Sequence, residues 1–310
     1  MVTITHTKPK YNNYQVNSCY LDVDNVYFYI NIDEHEISIP LEKLFLKQND
    51  KFDLITPINF QASLGSSFWI KNIIKIYELL KMIGCVCCFI QVKDDFQVLN
   101  NININTSRYI TNYYFDLEVP YEKLLKNKSK SSRLKLKKIL NNLKYRVVED
   151  LMSDDFYTNY YRISRKKSFS EKYKISKENF LKYTNVNTIK YIEIQENNQF
   201  VAGGFFGFNN DEIDYLYGSS SEAYPDAIRL LIWEAVKYFK EKGQKRLFLG
   251  GGITPNDSLA DFKRRLGTMN QKCRSIKMVV DTKTAEKIDG TILSESWYES
   301  FFPPYRKILK

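Results

Sequence analysis

Residues 189–252 constrain the fold more than any other stretch. Within "IKYIEIQENNQFVAGGFFGFNNDEIDYLYGSSS", three β-branched and aromatic runs are separated by Glu196-Asn197-Asn198 and Asn209-Asn210-Asp211. That pattern predicts three hairpin-linked antiparallel strands. "DAIRLLIWEAVKYFKEKG" follows, with Ile228, Leu231, Ile232, Ala235 and Phe239 at helical spacing, Asp226 placed to cap the start and Gly243 at the end. "KRLFLGGG" then reads as a strand that returns by a helical crossover and lies parallel to a partner. Strands joined by one such crossover give an α+β fold with a mixed sheet. A doubly wound nucleotide fold would repeat βαβ units and carry an early G-x-G-x-x-G, which is absent.

Elsewhere the reading is coarser. Residues 1 to about 18 are polar and read as loose. "VYFYINIDEHEISIPLEKLF" gives strands with a turn near Asp33 and Glu34. A short strand, "FDLIT", precedes a helix from about Ser67 to Met82 that Gly84 ends. "CVCCFIQV", "RYITNYYFDLEV", "YRVVED" and "SIKMVVD" are strands. "DDFYTNYYRISRKKSF" and "SKENFLKYTN" are helices, the second capped by Ser176. "SLADFKRRLG" is a short helix with Asp257 and Ser258 as caps, and "SWYESFFPPYRK" is an aromatic C-terminal segment.

Hydrophobic residues make up 44% of the 310, enough to build a substantial core. Cys85, Cys87 and Cys88 lie in a strand-like run and read as buried thiols. Neither His6 nor His35 stands at ligand spacing, so no metal is expected. With no signal peptide and no apolar run near the roughly 20 residues that span a bilayer, the expected compartment is the cytoplasm.

The charge is local. The chain holds 46 Lys and Arg against 36 Asp and Glu; residues 123–146, "KLLKNKSKSSRLKLKKILNNLKYR", contain ten cations and no acid, so the rest of the chain is balanced. Leu136, Ile139, Leu140 and Leu143 form an apolar stripe, and Ser131 or Ser132 could cap the helix. Arg133, Lys135, Lys137 and Lys138 are left to face water or an anionic partner: the phosphates of a nucleotide, a tRNA backbone or acidic lipid headgroups.

Residues 191–267 resemble the second domain of Fem-type transferases, a branch of the GNAT acyltransferase superfamily. The resembling stretches are "AGGFFGFNNDEIDYLYGSSSEAYPDAIRLLIWEAVKYFKEKG" and "RLFLGGGITPNDSLADFKRRLG", where Phe262 and Lys263 match the family's Phe-Lys pair. Upstream, "FDLITPINFQASLG" and "SSRLKLKKILNNLKYRVVED" are weaker echoes. The resemblance implies two tandem GNAT-like domains, residues 1–145 rejoined by 285–310, and a catalytic domain of residues 146–284. It also implies transfer of an acyl or aminoacyl group to an amine, with Lys263 facing donor or acceptor phosphates. In one respect the chain departs from the superfamily. The glycine-rich pyrophosphate loop before the long helix is replaced by "SSSEAYPDAIRLL", which places Glu222 and Asp226 where a pyrophosphate would sit.

Acyl transfer to an amine needs a held carbonyl, donors for an oxyanion, and groups that take and give a proton. A gap beside "DYLYGSSS" would expose backbone N–H groups. Tyr215 or Tyr217 could give a proton, depending on the face each occupies, and Asp214 could accept one; in so Tyr-rich a chain both tyrosines also read as packing residues. Gly218, Ser219, Ser220, Gly250, Gly251, Gly252 and Arg264 are the donor-binding candidates; Arg133, Lys137, Lys138 and Asp257 are the substrate-binding ones. The expected activity is N-acyl transfer from an acyl-CoA-like thioester to an amine on a nucleotide-linked sugar or other phosphorylated envelope or surface-polysaccharide precursor. Two alternatives stand beside it: an aminoacyl-tRNA-dependent transferase, and a non-catalytic module that binds nucleic acid or, through residues 123–146, a membrane surface.

Overall fold

The computed structural model describes residues 1–6, 9–11, 19, 25–46, 50–57, 61–97, 101–106, 110–167, 169, 173–252, 257–267, 269–299 and 301–307. In chain order the first elements are β1 (Val2–Thr5), β2 (Tyr27–Ile32), β3 (Ile37–Phe45), β4 (Phe52–Ile55), α1 (Ser66–Met82), β5 (Cys85–Val92), β6 (Ile104–Thr106) and β7 (Ile110–Asp116). Then come α2 (Tyr121–Lys126), α3 (Lys130–Asn142), β8 (Arg146–Glu149), α4 (Asp154–Lys166), α5 (Lys177–Thr184), β9 (Ile189–Glu196), β10 (Gln199–Asn209) and β11 (Glu212–Ser220). The chain ends with α6 (Ile228–Glu241), β12 (Arg246–Gly250), α7 (Ser258–Leu266), β13 (Met269–Val279), α8 (Thr282–Asp289) and α9 (Ser296–Glu299). No helix among the described residues is long and apolar enough to cross a membrane.

Two compact units result, residues 1–110 with 271–310, and residues 111–270. The sequence expectation set the junction at 145 and the return at 285. The structure divides earlier at both points because β7 and β13 each serve the unit built mainly by the other half of the chain. Each unit has the same plan. In the first, β1, β2, β3 and β4 run antiparallel, α1 crosses over, β5 lies parallel to β4, and β13 closes antiparallel to β5. In the second, β8, β9, β10 and β11 run antiparallel, α6 crosses over, β12 lies parallel to β11, and β7 closes antiparallel to β12. This is the expected α+β fold with mixed sheets. The predicted turns are present, with Asn197, Asn198 and Asn210 in the left-handed region that asparagine tolerates.

The first unit buries α1 through Phe68, Trp69, Ile73, Ile76 and Leu80. Its other face is covered by α8 and by the C-terminal aromatics Trp297, Tyr298, Phe302 and Tyr305. All five cysteines are free thiols inside the protein. In the second unit α6 and α3 lie on one face, where Phe206, Leu231, Ala235 and Phe239 are fully buried. The other face holds an aromatic cluster of Phe156, Tyr160, Phe180, Tyr191 and Phe205 beneath α4 and α5. Each such side chain contributes roughly 1.5–3 kcal/mol by leaving water.

Several local expectations are corrected. Val2–Thr5 is not loose but pairs with β2 as an edge strand, since Val2 and Ile4 supply an apolar face; residues 7, 8 and 12–18 of the same stretch lie outside the described residues. The basic segment is two helices, not one. Ser129 rather than Ser131 or Ser132 caps α3, accepting from Ser132 N at 3.2 Å. Leu140 is exposed, so the buried stripe is Leu136, Ile139 and Leu143. Asp226 does not cap α6, whose N-cap is Ala227, because its carboxylate is held by cations. Ser176 and Asp257 do cap α5 and α7.

Candidate functional site

The parallel pair β11–β12 runs for three residues, Glu212 opposite Arg246, Ile213 opposite Leu247 and Asp214 opposite Phe248, and then parts. Beyond that point β11 stays with β10 as far as Ser220 opposite Ala202. β12 follows β7, where Leu249 is the extra residue of a bulge before Gly250 pairs with Tyr113. The two strand ends therefore diverge, Tyr215–Ser220 on one side and Leu249–Gly252 on the other. Main-chain groups alternate in direction along a strand, so each wall turns half of its N–H and C=O groups toward the gap.

A second bulge decides which side chains flank this slot. Phe205 faces Tyr217 and Phe206 faces Tyr215, which leaves Leu216 as the inserted residue on β11. One extra residue sends Tyr215 and Tyr217 to opposite faces. Tyr215 packs against Phe206 on the α6 side, and burial raises its pKa. Its hydroxyl lies so close over Gly218 that any side chain there would collide with it. Tyr217 stands on the other face beside Phe180 and stacks on Tyr183. By strand alternation Asp214, buried opposite Gly207, shares that face with Tyr217. Ser219 is committed to structure, donating to the Phe156 carbonyl at 2.9 Å.

The three glycines and the cations of α7 explain one another. Gly250 has φ +79°, and a Cβ there would stand 3.0 Å from Lys263 Nζ; a Cβ on Gly251 would stand 2.6 Å from the Thr111 carbonyl oxygen. Bare backbone is what lets the ammonium lie across the turn and donate to the Gly251 carbonyl at 2.9 Å. Gly250, Gly251, Gly252 and Lys263 are all half-buried, neither sealed nor fully in water. Burial lowers the Lys263 pKa to about 8, and Asp257, which caps α7 by accepting from Ala260 N at 2.7 Å, opposes the shift. Arg264 and Arg265 both pair with Asp261, at 2.5 and 2.7 Å. Of the three cations in the last turn of α7, Lys263 alone turns to the glycines.

Two further cations are buried against α7. Lys128, 4% exposed, donates to the Leu266 carbonyl at 3.2 Å and lies 4.3 Å from the Phe115 ring centre. Burial, reinforced by the Arg229 charge, lowers its pKa to about 7. Arg229, 8% exposed, binds Asp226 at 3.2 Å and Ser132 Oγ at 3.0 Å and lies over the Phe262 ring. An arginine set in the apolar run "IRLLIW" was a legible signal; nothing marked Lys128 within a run of ten cations. The acids thought to repel a pyrophosphate are both paired, Asp226 with Lys135 and Arg229, and Glu222 with Arg162 at 2.6 Å. The main chain before α6 is also turned in on itself: Tyr224 N donates to Ser221 O, Ala227 N to Tyr224 O and Arg229 N to Asp226 O. Those three amides are spent within the turn, and no glycine lies between Gly218 and Gly243, so the stretch lacks the open glycine loop of a pyrophosphate cradle.

The structure thus brings Lys263 onto Gly250 and Gly251, with Asp257 acting on its charge, and sets Tyr217 and Asp214 on one face of β11 among the aromatics of α4 and α5. It places Arg133, Lys137 and Lys138 on the exposed side of α3, opposite the side that meets α6. Among the described residues no group of three His, Cys, Asp or Glu could hold a metal ion.

No family model matches the chain, and no curated protein matches it by sequence. Solved structures do match. The crystal structure of FemX superposes with TM-score 0.63 at 11% identity, over 92% of this chain and 96% of that one. The C-terminal domain of an Agrobacterium fabrum protein described as a lysylphosphatidylglycerol synthetase gives 0.56 at 10%, over 86% and 88%. L-PGS from Bacillus licheniformis gives 0.52 at 11%, over 86% and 87%. The chain therefore shares the fold of FemX.

Proposed function

We propose that the protein is a transferase that moves an acyl or aminoacyl group onto an amine, and that the slot between the ends of β11 and β12 is where transfer occurs. The observation that carries this reading is the parting of the strands after Asp214 and Phe248 beside a glycine turn crossed by Lys263. The shared fold with transferases such as FemX supports it. The acceptor amine attacks the donor carbonyl, a C–N bond forms and the bond to the leaving thiol or hydroxyl breaks. Backbone N–H groups of the slot and the Lys263 ammonium stabilise the transient oxyanion. Asp214 takes the proton from the amine and Tyr217 returns one to the leaving group. Tyr215, packed on the opposite face, positions Gly218 and takes no part in proton transfer.

The donor we favour is an acyl thioester and the acceptor an amine on a phosphorylated envelope precursor. Because the turn before α6 does not fit a pyrophosphate, a coenzyme A donor would be gripped elsewhere than at that helix start. The same feature supports the second reading, an aminoacyl ester donor carried on tRNA. Purified protein offered labelled acetyl-CoA, longer acyl thioesters and charged tRNA, each with amino-sugar nucleotides, separates them. Consumption of one donor class with amide formation is expected; no amide from any donor rejects the transferase reading.

A further inference from the structure

The geometry points to an anionic phospholipid surface as the partner of the outward face of α3. This inference stands apart from the transferase reading. On α3, Ser132, Leu136 and Ile139 turn inward, and Ser132 and Lys135 meet Arg229 and Asp226 of the α6 region. The opposite stripe, three and four residues apart, is Lys130, Arg133, Leu134, Lys137, Lys138 and Asn141, all exposed. No acid occurs anywhere between residues 123 and 146. Of its ten cations only Lys128 is buried, so nine reach solvent, and four of these, Lys130, Arg133, Lys137 and Lys138, lie on the outward stripe of α3.

Two details select lipid over nucleic acid. Leu134, opposite the buried Leu136, is 58% exposed at the centre of the cationic stripe, and Leu140 is 39% exposed on its flank. A leucine projecting through a ring of lysines gains by entering the headgroup–acyl boundary and gains nothing against a phosphate backbone. Seven of the nine exposed cations are lysines, hydrated point charges that suit a diffuse anionic layer, whereas phosphate-by-phosphate reading favours arginine and stacked aromatics.

The test is flotation of the full chain with phosphatidylcholine vesicles, with and without phosphatidylglycerol as about a third of the lipid. Binding is expected only to the anionic vesicles and is lost on going from ~0.1 M to ~0.5 M salt. Replacing Lys130, Lys137 and Lys138 by glutamine weakens it about fivefold per site, on the order of 100-fold for the three together. Leu134→Ser weakens it about fivefold at unchanged charge. The single substitutions, checked for an unchanged melting curve, stand in should the triple variant fold poorly. Equal binding to neutral vesicles, no binding to either, or variants indistinguishable from wild type each overturn the proposal. So does a structured RNA bound with the salt dependence described but indifferent to Leu134→Ser, which would assign the face to nucleic acid.

Discussion

In the first unit the parallel pair β4–β5 stays joined beyond its last ladder pair, Ile55 and Phe89, whereas in the second the pair β11–β12 parts after Asp214 and Phe248. The extension in the first unit is stitched bond by bond: Thr56 N to Phe89 O, Gln91 N to Thr56 Oγ1, Ala62 N to Gln91 O and Lys93 N to Ala62 O. Asp53, on the strand equivalent to that of Asp214, is wholly buried and accepts from Cys87 N at 3.0 Å, Tyr305 Oη at 2.8 Å and Arg306 Nε at 2.7 Å. The chain's own C-terminal segment thus satisfies Asp53, and Thr56 and Ala62 hold the strand ends that the second unit leaves apart. One sheet plan serves twice, once with the ends of its parallel pair joined and once with them apart.

The largest effects test that contrast directly. Asp53→Ala strips a buried partner from the Arg306 guanidinium and the Tyr305 hydroxyl, so unfolding free energy should fall by about 3–5 kcal/mol in a urea titration. A loss below 1 kcal/mol would show that the tail does not seal the first unit. Lys263→Ala in the open unit should do the reverse, leaving the melting temperature within a few degrees and lowering kcat about 10²–10³-fold. Wild-type turnover should also decline as pH rises through about 8, where Lys263 gives up its charge, and Lys263→Arg should move that decline upward. Near-normal turnover in Lys263→Ala removes the lysine from the mechanism.

Much of this contrast was legible in the sequence, and the remainder was not, for physical reasons. The hairpins of β9–β11, the crossover α6 and the glycine-ended β12 follow from local signals, periodicity of two or 3.6 and left-handed Asn and Gly. The bulge at Leu216 leaves no such mark, so the sequence could not say that Tyr215 and Tyr217 stand on opposite faces of β11. Strand exchange between the units is non-local: β7 and β13 read as strands, but nothing near them says which sheet they join. β1 was missed because four residues carry too little pattern, and α8 because its buried face is little more than Ala285. The cations of α7 were read as a group. Only the fold shows that Asp261 takes two of them and leaves the third.

A smaller effect sharpens the comparison through buried charge. The first unit matches its buried carboxylate with a guanidinium, while the second buries Lys128 at the end of α7 with one carbonyl and two rings. Lys128 titrates at about 7 in the folded chain against 10.5 for the free side chain. Between those values the unfolded chain holds the proton and the folded chain does not, so stability rises with pH across the window, by up to about 1.4 kcal/mol per unit. Below pH 7 the full cost of the buried charge is present. Lys128→Met should therefore stabilise by about 2 kcal/mol at pH 6 and by much less at pH 9, read from denaturation curves at both. A gain independent of pH would mean that the ammonium is already solvated.

The smallest effect concerns the stitch itself. Thr56 is 5% exposed, and its hydroxyl is the acceptor for the Gln91 amide where β4 has ended. Thr56→Val keeps the shape of the side chain and removes that acceptor, leaving a buried N–H without a partner. The expected loss is about 1–2 kcal/mol of stability, with transfer activity unchanged because the open slot lies on β11 and β12. Hydrogen exchange gives the sharper reading. In the wild type the Gln91 amide should exchange slowly, and those amides among Leu216–Gly218 and Gly251–Gly252 that turn to the gap rather than to β10 or β7 should exchange quickly. In the variant Gln91 should join the fast group while the slot amides do not change. If Gln91 remains protected, the first unit is closed by the packing of its aromatic tail and not by these bonds, and the difference between the two units would rest on side chains instead of main-chain pairing.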